Sequence, residues 1–471
     1  MPVSLLLVAL VLSADPSADA GSATVAPPLV SPLEADAGEA PPVAGIEGED
    51  KTPPDQTPPA DDGRVRLRAA AEASLTSFPS GTPAGQQDVF LDLRPIVGID
   101  IGEDFAIEVG AEFRLRLIDD APGQRGTDIG GVLRRADWDE ASDFGQIIHS
   151  LRISKPETAF WIQAGSVRKK TLGLGHLISR YSNQDNPDYH PAAATIASHY
   201  KALRVELFAS DIFGARIFAG EMVADLGRIL SGNEGTWDRF HLALSLAHDA
   251  GLAGYLAPQV TVFQLDFDTV FYRSDTTRLM ALIGIGARTP DALDATPNFG
   301  LLVGLAIDSM LSGGFSIGAR LELRKQQSGF RQGFFGAGYE IARFAGTGFS
   351  EPSRAAEQLP DGFSVEGELH VANGSAVSFD FGLEYFSWGR TDLDALLSLE
   401  IINHRLIAGA RFTGTGVGKV PRYATTLELR VRLFSSFYLM GAGGTVFFPQ
   451  PDGTLARGIY GGAGAGIDFE R

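Results

Sequence analysis

From Arg64 to the end of the chain, apolar and polar residues alternate with a period of two. In Arg64 to Leu75, Val65, Leu67, Ala69, Ala71, Ala73 and Leu75 share one parity, and Arg64, Arg66, Arg68, Glu72 and Ser74 take the other. In Asp88 to Ile99, Val89, Leu91, Leu93, Val97 and Ile99 oppose Asp88, Asp92 and Arg94. In Phe105 to Leu117, an apolar row opposes Glu108, Glu112, Arg114 and Arg116. Successive side chains of a strand point to opposite faces, so each segment predicts a strand with one apolar and one ionic side. Twenty such segments run from 64–75 to 457–469, among them 144–154, 199–209 and 331–344.

A soluble sheet also alternates, with its polar face in water. Two features favour a membrane instead. Segments such as Phe105 to Leu117 exceed the about 5–6 residues of an ordinary strand and suit the about 9–11 residues of a tilted membrane crossing. The apolar sides are also free of charge over nearly every segment, while the polar sides carry both signs and can pair between neighbours. The expected fold is all-β: one large antiparallel transmembrane β-barrel of about 16–20 strands, even in number. Asn373-Gly374 and Ser387-Trp388-Gly389-Arg390 read as tight turns. Longer gaps fall at 119–143, 168–198, 224–237, 288–298, 345–361 and 413–422. Short turns at one end and long loops at the other are the expected asymmetry.

Composition narrows this picture. Hydrophobic residues make up 44%, yet no apolar run of about 20 residues follows the N-terminus, which excludes a bundle of membrane helices. There is no cysteine, so disulfides and thiolate chemistry are absent. Residues 1–20 have the form of a cleaved signal peptide, with the apolar core Ser4 to Leu12 and the small-x-small triplet Ala18-Asp19-Ala20. Residues 21–63 hold nine prolines, nine acids and one lysine, and predict a disordered acidic linker. Of the net charge of −19, −8 lies in that linker and −2 before it, so 64–471 is closer to balance. Nothing in this charge distribution suits a nucleic-acid partner.

With its signal peptide, repeated amphipathic hairpins and amphipathic last segment (Gly458 to Phe469), the chain resembles bacterial outer-membrane porin-like β-barrels over 64–471. Barrels of that kind usually finish on an aromatic residue; here Glu470 and Arg471 follow Phe469. No motif selects a subfamily. The resemblance implies a bacterial outer-membrane location, lipid as the surrounding partner, and passive or semi-selective passage of small hydrophilic solutes or ions. A homo-oligomer is left open. The alternative is a plugged or scaffold barrel with a structural role. A third reading, an outer-membrane hydrolase, would need a Ser/His or Asp/His cluster at one rim. No enzyme activity, cofactor or metal is expected.

The candidate lumen-facing charges are Arg66, Arg68, Asp92, Arg94, Glu108, Glu112, Arg114 and Arg116 in the first three segments. Further along they are Arg204, Glu206, Arg320, Glu322, Glu366, Glu368, Asp380, Glu384, Glu428 and Arg430. Charged rings in a wet pore set ion preference, and paired charges merely fill it. The gap 168–198 is too long to be a plain connection. Its His176, Arg180, Tyr181, Asn183, Asp185, Asp188, Tyr189 and His190 are the candidates for a constriction loop folded into the lumen. Asp185-Asn186-Pro187-Asp188 reads as turn chemistry rather than a metal loop. Gly173-Leu174-Gly175 lacks the spacing of a dinucleotide fingerprint.

Overall fold

The computed structural model describes residues 65–470 apart from 81–85, 121–128, 157, 215, 232–238, 252–258, 290–297, 328, 342–359, 375, 403, 420 and 450–454. The expected signal peptide (1–20) and linker (21–63) lie outside the described residues.

The first strand, Val65–Pro79, pairs with the second, Gln87–Ile101, along one edge and with the last, Leu455–Glu470, along the other. The sheet thus closes on itself and leaves no unpaired edge, which a lipid environment demands. Phe105–Gly110 and Phe113–Ile118 both pair with Gln87–Ile101 and are two halves of one crossing, so the wall has twenty antiparallel strands. The halves part opposite Pro95, between the pairs Ile96–Gly110 and Leu93–Phe113. Pro95 has no N–H to give the ladder, so pairing lapses there although the register is the same on both sides.

Burial along the strands is inverted relative to a soluble protein. In Val65–Pro79, Arg68, Glu72 and Ser74 are buried while Leu67 and Leu75 are exposed. In Phe240–Asp249, Ser245 is 3% exposed and its neighbour Leu246 45%. Leucines on the outside and charges on the inside are the signature of a barrel set in lipid. Exposed aromatics mark both rims: Tyr200, Tyr272, Phe315 and Phe434 at one end, Phe213, Phe363, Tyr385 and Tyr423 at the other. Such girdles sit at the membrane–water boundary.

Short turns such as 102–104, 201–202 and 274–276 share one end. The segments 119–147, 166–192 and 327–361 leave from the other. The gap 224–237 departs from the expected asymmetry, because it opens at the short-turn end with a helix, Leu226–Ser231. The gap 413–422 shrinks to a tight turn, since Leu406–Val417 extends into it.

Two segments exchange roles. Of the expected strand 331–344, residues 331–341 form no wall strand, and Phe334, Phe335 and Tyr339 are buried in a core inside the lumen; 342–344 lie outside the described residues. Their alternation is real, but both parities carry aromatics, which pack on one another instead of facing lipid. The missing strand is Ala193–Tyr200, which occupies the end of the expected loop 168–198. Its sequence, Ala-Ala-Thr-Ile-Ala-Ser-His-Tyr, has small residues on both faces and no ionic side to reveal it.

Candidate functional site

After the six-residue strand Phe160–Gly165, the chain turns inward. Lys170 and Tyr181 exchange backbone hydrogen bonds of 2.8 and 2.9 Å, and the Leu172 N–H donates to the Ile178 carbonyl at 3.1 Å, so 170–181 is a hairpin within the lumen. Its tip carries Gly173 and Gly175 at φ of +56° and +80°. A Cβ on Gly173 would lie 1.7 Å from Glu221 Oε1 on the wall. The two glycines serve a tight turn and a close approach. Ile178–Ser179 pairs in parallel with Phe335–Gly336 of the second inward segment. Leu172, Leu177, Ile178 and Tyr181 share a core with Phe330, Phe334, Phe335 and Tyr339, and the Tyr181 hydroxyl donates to Glu340 Oε1 at 2.6 Å. The two segments therefore form one plug whose apolar centre continues onto wall residues such as Phe208, Ile217 and Val262. Each fully buried large side chain contributes about 1.5–3 kcal/mol.

The plug is pinned to the wall by basic side chains. Lys169 meets Asp380 at 2.5 Å and Lys170 meets Glu206 at 2.5 Å. His176 lies between Asp266 (2.8 Å) and Glu322 (2.9 Å). Arg180 reaches Asp394 at 2.9 Å and also pairs with Glu368. Arg331 meets Asp392 at 2.9 Å and Glu384 at 3.0 Å. A charge taken out of water is tolerated only when paired in this way. Burial opposes charge on His176, but Glu322 and Asp266 outweigh it and raise its pKa to about 9. The plug thus carries an imidazolium at neutral pH. Arg180 holds φ at +50°, a left-handed conformation that costs a non-glycine residue about 1–2 kcal/mol. Its guanidinium occupies the space above Gly382, where a Cβ would lie 2.0 Å from Arg180 Nη2.

The structure splits the expected wall charges into two groups. Glu206, Glu322, Glu368, Asp380 and Glu384 face the plug and bond to it. Arg204 supports Glu206 at 2.6 Å, and Arg320 bridges Glu368 (2.7 Å) and Glu366 (3.8 Å) while donating to the Leu174 carbonyl of the hairpin. The second group stands across the lumen. Arg94 joins Glu112 (2.6 Å) to Glu72 (3.5 Å), and Arg430 meets Glu72 at 2.8 Å. Arg114 bonds Glu112 at 2.9 Å and Asp137 at 2.5 Å. Asp92 lies 3.8 Å from Arg114, and Glu108 lies 3.9 Å from Arg68, which bonds Asp100 at 2.6 Å. Arg116 pairs with Asp88, and Glu428 with Arg168 of the plug at 2.5 Å. Arg66 is exposed at the short-turn rim and belongs to neither group. Glu112 lies in the short break opposite Pro95, where the unbroken register sets it across from Arg94 and two residues from Arg114.

The remaining loop candidates fasten the plug's far side. Asn183 accepts from the Val167 N–H (2.9 Å) and donates to the Ser210 carbonyl (2.9 Å). Asp185 meets Arg411 at 3.3 Å and Asp188 meets Arg134 at 2.8 Å. Asn186 exchanges hydrogen bonds of 3.1 and 3.2 Å with the Phe447 backbone. Asp185 Oδ1, Asp188 Oδ1 and the Asn186 amide thus serve arginines and backbone. Tyr189 lies under the Arg216 guanidinium, and His190 is 3.9 Å from Asp137. Sequence reasoning missed Lys169, Lys170, Arg331 and Gly382. The cluster of cations at 168–170 was the available signal. The stretch Gly314-Phe315-Ser316-Ile317-Gly318 spells the letters of a nucleophile elbow, which pattern reading passes over. It lies at the turn into strand Phe315–Gln326, without the strand-to-helix bend that the elbow requires.

Between the plug and the second group lies a cavity of about 280 Å³. Arg168, Gln184, Asn186 and His190 border it on the plug side. Ala442, Gly462 and Gly464, on the inner parity, keep the opposite wall low. Five carboxylates line it (Glu72, Asp92, Glu108, Glu112, Glu428) and five arginines (Arg94, Arg114, Arg168, Arg411, Arg430).

No protein-family model matches the chain, and no curated protein matches it. Solved structures to which it is similar include the outer membrane protein OpdK from Pseudomonas aeruginosa, at 9% identity and a TM-score of 0.37, covering 87% of this chain and 99% of that one. A BenF-like porin from Pseudomonas fluorescens Pf-5 aligns at 10% identity and a TM-score of 0.33, covering 86% and 98%.

Proposed function

We propose that this chain is a bacterial outer-membrane channel for small hydrophilic solutes, whose path runs through the gap between the plug and the second group of wall charges. The observation that carries the reading is the unequal division of the lumen. One half of the wall is covered by a packed plug, and the other borders a charged cavity of about 280 Å³. Paired charges around a wet space supply a polar path through lipid without a large desolvation penalty. The constriction role of 166–192 belongs to this reading: the segment narrows the path and leaves the cavity at its edge.

A second reading, a sealed scaffold barrel, draws on the density of the plug's own bonds. Reconstitution of the folded barrel into planar bilayers separates the two. Discrete single-channel currents are expected for the channel. A folded, inserted barrel without conductance would establish the scaffold reading instead.

A further inference from the structure

Outward-facing cations stand along one arc of the long-loop rim. Lys325 shares the parity of Leu321 and Leu323, both exposed, and so points to the lipid side. Its ammonium lies 4.6 Å from the centre of the ring of Phe363, its register partner on the next strand. Arg457 shares the parity of Ile459 and Ile467, also exposed, and its guanidinium lies 3.9 Å from the centre of the Tyr423 ring. Between these two, in the turn after Leu406–Val417, Lys419 is exposed and lies beside Gly389 of the neighbouring turn. Phe363 and Tyr423 belong to the exposed aromatics of this rim, so the three cations sit at or just above the membrane–water boundary.

These cations differ from those of the lumen. Arg324, one residue before Lys325, points inward and meets Glu322 at 2.7 Å and Glu384 at 3.4 Å. Lys325, Lys419 and Arg457 have no carboxylate within ion-pair distance among the described residues. An aromatic face attracts a cation but leaves its charge uncompensated, and a long apolar stem lets the charged head ride at the boundary. The counter-charge therefore comes from outside the chain. On the outer side of a barrel, the anions that reside at this depth are lipid headgroups. Phosphate is the group that suits both residue types, lysine as a point charge and arginine through paired hydrogen bonds. Lys325 and Arg457 are seven strand steps apart, about 34 Å of wall at about 4.8 Å per step, which is more than one headgroup covers.

We infer that this arc is a belt of contacts for phosphorylated lipids in the leaflet at the long-loop end, with Lys325, Lys419 and Arg457 as the phosphate contacts and Phe363 and Tyr423 holding two of them at headgroup depth. The belt binds in the same way whether or not the lumen conducts.

The experiment is native mass spectrometry of the folded full chain, titrated in detergent with diphosphoryl lipid A, its monophosphoryl form, or the same lipid stripped of both phosphates. Retention is expected to fall in that order. Lys325→Gln, Lys419→Gln and Arg457→Gln are each expected to weaken the apparent affinity for the diphosphoryl lipid by up to about fivefold, the attraction of one cation for an anionic surface. The triple variant is expected to hold it no better than the stripped lipid. Equal retention of all three lipids by the unaltered chain would overturn the phosphate assignment. Undiminished binding by the triple variant, in barrels shown to be folded by their heat-modifiable migration, would overturn the assigned contacts. An equal loss on Arg66→Gln, at the opposite rim, would do the same.

Discussion

The two halves of the lumen start from the same strand pattern and end in different states. Over strands Leu203–Ala209 to Thr391–Ile401, the inner acids Glu206, Asp266, Glu322, Glu368, Asp380 and Asp394 find their counter-charges on the plug. Over strands Val65–Pro79 to Phe113–Ile118 and Arg422–Arg432, wall acids pair chiefly with wall arginines, as Glu72 does with Arg94 and Arg430. Wall arginines serve some of the same acids, Arg204 on Glu206, Arg320 on Glu368 and Arg324 on Glu322 and Glu366, but the acids outnumber them and the plug supplies the rest, whereas a self-neutralised wall can stay wet. The proposed path thus lies where the strands supply most of the counter-charge, and the plug where its own cations add to those of the wall.

Removing the filling should have the largest effect. Replacing 169–181 by a short glycine linker is expected to raise single-channel conductance severalfold and to shift the reversal potential toward cations, because acids of the covered half lose the plug's share of their counter-charge. Unchanged conductance would mean that the plug does not occupy the limiting cross-section.

Next comes the fit of one side chain. Gly382→Ala places a Cβ where Arg180 lies, and overpacking of this kind costs about 1–3 kcal/mol. The plug is expected to open intermittently, seen as current flicker, and Arg180→Ala is expected to suppress the clash in the double variant. A smaller effect is expected from pH. His176 has a folded-state pKa raised to about 9, above the ordinary value of about 6.5. Its contribution is therefore full below about 6.5 and is lost as pH rises through about 9. Flicker should grow across that alkaline range, and a His176→Gln channel should show no such rise. In the self-neutralised half, Arg94→Ala should leave conductance near its starting value and shift selectivity modestly toward cations, because Glu112 and Glu72 each lose one partner. Reversal potentials in a salt gradient measure this. Arg66→Ala, exposed at the rim, should change stability by no more than about 0.5 kcal/mol in denaturant unfolding.

The wall was legible because lipid and lumen impose opposite demands on successive residues of a strand. Leu67 and Arg68 announce their faces by chemistry alone. The same rule failed where chemistry was muted or doubled. Ala193–Tyr200 has no ionic face, and Phe334 and Phe335 are apolar on both parities, so one strand was missed and one added in its place. The plug's existence was foreshadowed by the length and mixed chemistry of 168–198. Its partner 327–341 was not, because packing inside the lumen follows ordinary core rules and leaves no period to count. Gly382 and Gly173 are intelligible only beside Arg180 and Glu221, residues distant in sequence. The same holds for Glu112, whose contact with Arg94 depends on the register between two strands.

Because the chain has no cysteine, thiol labelling tests the divided lumen directly. Ala442→Cys would stand at the cavity, on the inner face it shares with its register partners Glu428 and Gly462. Ala247→Cys would stand in the plug's apolar contact with the wall, where Ala247 is 0% exposed. A small charged thiosulfonate is predicted to block current through the Ala442→Cys channel and to leave the Ala247→Cys channel untouched. Block at Ala247→Cys with none at Ala442→Cys would put the path on the covered side and contradict the account.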